Sequence, residues 1–122
     1  MAHILVIDDD DALREVVTMA LEEKGHRVTA AENGKIGVTR FMAEPADVVL
    51  TDVMMPEQEG VETIMQLRRT HPKLRIIAMS GGGPRSAVYL QICARLGART
   101  LAKPFTIADL DQTIAEVMTP GP

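Results

Sequence analysis

The sequence predicts an α/β fold: a (βα)5 doubly wound, five-stranded parallel sheet with strand order 2-1-3-4-5. Five short apolar runs alternate with five helical patterns, which is typical of such sheets. The first, third and fourth runs are the most continuously apolar, as in strands covered by helices on both faces, whereas the second and fifth suit the edges. Ligands of this fold bind at the carboxyl ends of the strands, near the switch point between strands one and three.

The predicted strands are 3–7, 27–31, 47–51, 76–79 and 100–102. Apolar residues at helical spacing predict five helices, whose markers run over 13–21, 36–42, 61–67, 89–96 and 107–117. The first of these stripes includes Val16. Gly25 follows the first helix at a position that favours a left-handed residue, and Thr106 with Asp109 indicates a capping box. Ser80 to Pro84 is expected to break the chain after the fourth strand.

Composition bounds the class of protein. The 122 residues suit one domain over 1–122, with a core of about 3–118 and a short tail over 119–122. A hydrophobic fraction of 46% argues against disorder, and a net charge of −4 argues against direct nucleic-acid binding. The single cysteine, Cys93, suits a reducing compartment. No apolar run approaches membrane-spanning length, so we expect a cytoplasmic protein without membrane insertion.

Polar residues end four of the predicted strands. Asp8 and Asp9 follow the first strand, Asp52 the third, Ser80 the fourth and Lys103 the fifth. Neighbouring strands lie about 4.8 Å apart, so these carboxylates are expected to crowd together. Each such pair repels by about 1 kcal/mol in water and about 4 kcal/mol at the effective dielectric of a protein surface. Lys103 offsets part of this charge, and Mg²⁺, which prefers oxygen ligands, is the natural candidate for the rest.

A metal, a lysine and a hydroxyl around a carboxylate indicate phosphoryl transfer, with an aspartate as the nucleophile. By contrast, Asp10 and Asp11 are predicted to be N-cap residues or partners of the helix dipole at the start of the following helix. The glycines at 81–83 lack the Gly-Lys-Ser/Thr ending of a phosphate loop, because Pro84 and Arg85 follow them. We therefore interpret these glycines as a mobile loop that lets Ser80 and the fourth helix shift.

The ordered set of motifs resembles the receiver domain of two-component response regulators over about residues 3–118. The matching stretches are ILVIDDD at 4–10, DVMMP at 52–56 with Gly60, Ser80, and KPF at 103–105. Any one of these is weak alone, but the set is specific because each member ends the appropriate strand. The resemblance implies the flavodoxin-like, CheY-like fold and a signalling switch that is not an enzyme acting on other substrates.

The resemblance also implies a role for each site residue. Asp52 would accept a phosphoryl group from a sensor histidine kinase or a histidine phosphotransfer protein. Asp8 and Asp9 would position Mg²⁺, with Asp9 the direct ligand. Asp52 and the backbone carbonyl of Met54 would complete the protein's share of the coordination. Lys103 would pair with a phosphate oxygen.

The switch implied by the resemblance is expected to bind a downstream protein. Ser80 would move to hydrogen-bond the phosphate, which would change the surface of the fourth helix, fifth strand and fifth helix. The bond before Pro104 is expected to be cis. The family often has an aromatic ring where this chain has Thr100, and Tyr89 on the preceding helix is a candidate substitute. Met54 and Gly82 cannot orient a hydrolytic water, which predicts slow self-dephosphorylation.

Alternative hypotheses remain open at this point. The chain is either a stand-alone receiver, as Met1 and the short tail after Met118 favour, or a receiver excised from a DNA-binding response regulator or a hybrid histidine kinase. An aspartate-nucleophile phosphatase is a third hypothesis, although such enzymes usually carry a second aspartate where this chain has Met54. Flavin binding is disfavoured because the acidic site would repel the cofactor's phosphate.

Overall fold

The computed structural model describes residues 2–53, 60–81 and 85–119. The strands and helices alternate along the chain as β1 (His3–Ile7), α1 (Asp11–Glu23), β2 (Arg27–Ala31), α2 (Gly34–Ala43), β3 (Val48–Asp52), α3 (Gly60–Thr70), β4 (Arg75–Gly81), α4 (Ser86–Arg95), β5 (Arg99–Lys103) and α5 (Ile107–Met118). All paired strands are parallel, in the order β2-β1-β3-β4-β5. The predicted fold class and strand order are confirmed.

The sheet has a buried apolar layer on each face, because the side chains of a strand alternate between its faces. On β1, Leu5 and Ile7 pack with α2, α3 and α4, whereas Ile4 and Val6 pack with α1 and α5. The central strand β3 is buried along its whole length, as its continuous apolar run predicts. The two layers therefore fix which helices cover each face and hold the strand ends at the site.

Local signals in the sequence set several of the helix ends. Gly25 follows α1 with φ of 91°, a left-handed backbone conformation that L side chains rarely adopt. Thr106 accepts a hydrogen bond from the amide of Asp109, whose carboxylate accepts one from the Thr106 amide. The predicted capping box is confirmed. It sets the start of α5 at Ile107, a few residues after the end of β5.

Some local predictions are wrong. Val16, which the helical stripe placed on the buried face of α1, is 54% exposed, because the buried side of this helix is narrower and centres on Val17 and Leu21. Ser80 and Gly81 belong to β4 rather than to the break after it, since both pair with β5. The glycines at 82 and 83 of the expected mobile loop lie outside the described residues.

Cys93 is the buried anchor of α4. Its side chain is fully buried, and desolvation raises the pKa of its thiol to about 11. A thiol in this setting stays protonated at neutral pH and behaves as a small apolar side chain.

Among the described residues, no helix is both long enough and apolar enough to cross a membrane.

Candidate functional site

Three carboxylates meet at the carboxyl ends of β1 and β3. Asp8 follows β1, Asp52 ends β3, and one carboxylate oxygen from each of Asp8, Asp9 and Asp52 lies within 4.8 Å of the others. Asp8 and Asp52 are buried, while Asp9 is exposed. Two buried carboxylates with an exposed third form an oxygen-rich cluster that opens toward solvent on one side.

Lys103 bridges the two buried carboxylates. Its Nζ donates to Asp8 Oδ2 at 3.0 Å and to Asp52 Oδ2 at 3.2 Å. Desolvation opposes its charge, but the hydrogen bond to Asp8 and the negative charges of Asp52 and Asp8 outweigh that cost, so the pKa of Lys103 is raised. The ammonium therefore stays charged and neutralises part of the cluster.

Backbone contacts fix the orientation of Asp8. Its amide donates to the carbonyl of Ala31 on β2, and its Oδ1 accepts from the amide of Asp10 at 2.9 Å. The Arg14 guanidinium donates to the Asp8 carbonyl at 2.7 Å and also pairs with Asp11. One Asp8 oxygen is thus held by the backbone while the other binds Lys103.

Asp10 and Asp11 act at the start of α1, as predicted. Asp10 is the N-cap residue, and its side chain accepts a hydrogen bond from the amide of Leu13. Asp11 lies in the first turn, where a negative charge interacts favourably with the helix dipole. The acidic run at 8–11 therefore divides into two site residues and two helix-start residues.

Ser80 carries a buried hydroxyl. The residue is 1% exposed, and its Oγ makes no hydrogen bond to any other part of the chain that the structure describes. Leaving a hydroxyl buried and unsatisfied costs about 1–3 kcal/mol. Ser80 follows Met79, which is the register partner of Asp52, so this hydroxyl lies at the same sheet edge as the carboxylates. It is an available donor for an oxygen bound there.

The acidic cluster fits a hard divalent cation. All three side chains offer carboxylate oxygens, the ligand type that Mg²⁺ prefers, and the exposed side leaves room for water or phosphate oxygens. With one ammonium against three carboxylates, the cluster keeps a surplus of negative charge that a cation would offset. The Met54 carbonyl, which the resemblance implied as a ligand of the same metal, lies outside the described residues.

Two glycines contribute to the site because neighbouring atoms pack closely against them, a role that the sequence pattern did not predict for either. A Cβ at Gly60 would lie 2.3 Å from the carbonyl oxygen of Asp52 and 2.4 Å from Val53 Cα. A Cβ at Gly81 would lie 2.7 Å from Cβ of Lys103. The missing side chains let α3 approach the end of β3 and let Lys103 cross β4.

Gly60→Ala is expected to lower the free energy of unfolding by about 1–3 kcal/mol, the usual cost of overpacking. The added methyl group would meet backbone atoms at Asp52 and Val53, which cannot turn aside as a flexible side chain can. Urea unfolding followed by circular dichroism measures the change. Gln66→Ala, at an exposed position of α3, is the matched control and should change stability little. Equal stability of Gly60→Ala and the wild type would contradict this packing argument.

The remaining described residues that the resemblance singled out lie around α4 and β5. The Lys103–Pro104 peptide bond is cis, as expected. Thr100 is exposed on β5, and Tyr89 is partly buried against the core layer beneath α4. Gly82, invoked for slow dephosphorylation, lies outside the described residues.

The sequence matches the response regulator receiver domain family over residues 4–115. The chain belongs to this family. It is 33% identical to the response regulator receiver protein CpdR of Brucella abortus, over 97% of this chain and 98% of that protein. It is 32% identical to the sensor kinase CckA of the same organism, over 96% of this chain but 12% of that protein.

Solved structures support the same assignment. A response regulator receiver domain protein from Clostridium thermocellum superposes with a TM-score of 0.90 at 29% identity, covering 97% of this chain and 94% of that chain. The chain is thus a receiver domain, a type of signalling switch found alone and inside longer regulators and kinases. Receiver domains interact with histidine kinases and downstream effectors.

Proposed function

We propose that this receiver domain, taken as one unit over residues 1–122, is a phosphoacceptor switch in which Asp52 is the phosphorylated residue. The observation that carries the proposal is the position of Asp52. Its buried carboxylate lies at the switch point of the sheet, within the oxygen cluster of Asp8 and Asp9 and in contact with Lys103. This position combines a nucleophile with the groups that phosphoryl transfer requires.

The reaction is a transfer from a phosphohistidine of a sensor kinase or phosphotransfer protein. An Asp52 oxygen attacks phosphorus and forms a new P–O bond, while the P–N bond breaks and its electron pair returns to the imidazole nitrogen. Lys103 stabilises the charge on the phosphoryl oxygens and remains paired with Asp8. The product is an acyl phosphate on Asp52.

Asp8, Asp9 and Asp52 would hold Mg²⁺, with Asp9 as the exposed direct ligand. When bound, Mg²⁺ would supply positive charge that stabilises the phosphoryl oxygens and offsets the repulsion among the carboxylates. The fit of the oxygen cluster to a hard cation supports this assignment. The backbone carbonyl of Met54 is proposed as a further ligand.

The switch follows from the new acceptor oxygens on Asp52. The buried hydroxyl of Ser80, which has no hydrogen-bond partner among the described residues, would donate a hydrogen bond to the phosphate, and Lys103 would pair with another phosphate oxygen. Movement of β4 at Ser80 would bias the surface formed by α4, β5 and α5, which would then bind a downstream protein differently. Since Thr100 stands where the family often has an aromatic ring, we propose Tyr89 on α4 as the aromatic residue that responds.

The phosphoacceptor hypothesis is tested with a small-molecule donor. In the presence of Mg²⁺ and acetyl phosphate or phosphoramidate, the intact protein should gain the mass of one phosphoryl group. A chelator added before the donor should prevent this gain, because the carboxylate cluster then keeps its surplus charge. Absence of an adduct with both donors would contradict the proposal, and an adduct that forms equally well with the chelator would contradict the metal assignment. Turnover of an unrelated phosphate ester would favour the phosphatase hypothesis instead.

A further inference from the structure

The charges of this acidic chain are segregated along the sequence. Residues 68–99 contain seven lysines and arginines and no aspartate or glutamate, although the whole chain has a net charge of −4. The other 90 residues contain six cations and 17 carboxylates. A chain with randomly mixed charges would not leave so long a stretch without a carboxylate.

The fold gathers six of these cations at one edge of the sheet. Helices α3 and α4 end, and strands β4 and β5 begin, at the edge opposite the Asp52 site. We call this surface the basic edge, and its cations are Arg68, Arg69, Lys73, Arg75, Arg95 and Arg99. Cations in the last turn of a helix interact favourably with its dipole, which accounts for the three on α3 and α4. Lys73, Arg75 and Arg99 have no such role.

Arg68 has a structural role within the basic edge. Its guanidinium donates to the carbonyls of Leu96 at 2.9 Å, Pro72 at 3.1 Å and Gly97 at 3.2 Å, and it also contacts the carbonyl of Leu74. These bonds join the end of α3 to the start of β4 and to the turn before β5. They neutralise no charge, so Arg68 adds to the positive potential of the edge.

A groove of about 340 Å³ runs along the basic edge and is lined by four of its cations. Arg75 donates a hydrogen bond from Nε to the carbonyl of Val117 at 2.7 Å. In the part of the chain that the structure describes, its terminal guanidinium nitrogens have no hydrogen-bond or ion-pair partner. The ammonium of Lys73 likewise has no hydrogen-bond or ion-pair partner within residues 2–53, 60–81 and 85–119. Among the described residues that line the groove, the carboxylate is that of Glu116. Its Oε2 lies 4.0 Å from Arg99 Nη1, so the ion pair between them is weak.

We propose that the basic edge is a docking site for an acidic segment of a partner protein. The exposed cations supply complementary charge, and Leu74 and Val117 give the groove apolar surface for the side chains of a short peptide. Nucleic acid fits less well. Its phosphates follow one another every 1.7 Å or so and would extend past the edge toward the carboxylate-rich remainder of the chain. No described residue of the lining is aromatic and able to stack on a base.

The test is a binding measurement with a fluorescently labelled oligoglutamate peptide, followed by anisotropy at low salt. Arg75→Gln/Arg99→Gln should bind the peptide about fivefold to tenfold more weakly than the wild type, as expected for two exposed ion pairs. Raising the salt to about 0.5 M should abolish the difference. The control, Lys35→Gln/Arg40→Gln, removes the same charge from the exposed side of α2 and should bind like the wild type.

Three results would overturn the proposal. The first is no binding of the peptide to the wild type, and the second is equal weakening in the control, which would mean that only net charge matters. The third is tighter binding of labelled duplex DNA than of the peptide with the same dependence on Arg75 and Arg99. None of these substitutions lies in the Asp52 site, so both double variants should still accept a phosphoryl group, and the two proposals are tested separately.

Discussion

Asp52→Asn should take up no phosphoryl group from acetyl phosphate under conditions in which the wild type is fully modified. The substitution keeps the size of the side chain and an oxygen that can accept the hydrogen bond from Lys103. It removes the negative charge and the nucleophilic carboxylate, since an amide oxygen is a poor nucleophile toward phosphorus. Intact-mass spectrometry of variant and wild type after the same incubation with Mg²⁺ measures the difference.

The acidic run beside the site supplies a matched control. Asp10→Asn also replaces an aspartate by asparagine close to the cluster, but Asp10 caps α1 and asparagine is an equally good cap. This control should be phosphorylated like the wild type. An adduct on Asp52→Asn, for example at Ser80, would assign the acceptor role to another residue. Loss of the adduct in Asp10→Asn would mean that the assay responds to general acidity rather than to one nucleophile.

The sequence predicted the fold well because its signals are local. Alternation of apolar runs and helical stripes locates each element, and the polarity of the second and fifth runs places them at the edges. Val16 shows where such reasoning fails. A helical stripe predicts the direction of the buried face of a helix but not the width of that face. The width depends on how closely α1 packs against the sheet, and Val16 lies outside the buried face.

The sequence predicts those parts of the site whose positions follow from where the strands end. The carboxyl ends of parallel strands meet at one edge, so the convergence of Asp8, Asp52 and Lys103 follows from the strand order. The roles of Gly60 and Gly81 do not follow from it. Each is required by a close non-bonded approach to another segment, Gly60 to the end of β3 and Gly81 to Lys103 on β5, and a glycine that admits such an approach looks in the sequence like any turn glycine.

Lys103→Met should lower the free energy of unfolding by about 2–3 kcal/mol in metal-free buffer at neutral pH. Removing one partner of a buried ion pair usually costs about 3–5 kcal/mol, and the estimate is reduced because a fifth of the Lys103 side chain is exposed. The variant leaves the buried carboxylates of Asp8 and Asp52 without the ammonium that separates them. Methionine retains most of the aliphatic stem, so lost packing contributes little. Urea unfolding measures the change.

A second substitution separates charge from packing. In Lys103→Met/Asp8→Asn, one of the two repelling carboxylates is also neutral, so the double variant should recover part of the lost stability, and the double-mutant cycle gives the coupling energy. Added Mg²⁺ should stabilise Lys103→Met more than it stabilises the wild type, because the metal would then be the main positive charge in the cluster. If Mg²⁺ stabilised both proteins equally and the second substitution restored nothing, then Lys103 would act only by filling space. The repulsion among Asp8, Asp9 and Asp52, from which the metal site was inferred, would lose its experimental support.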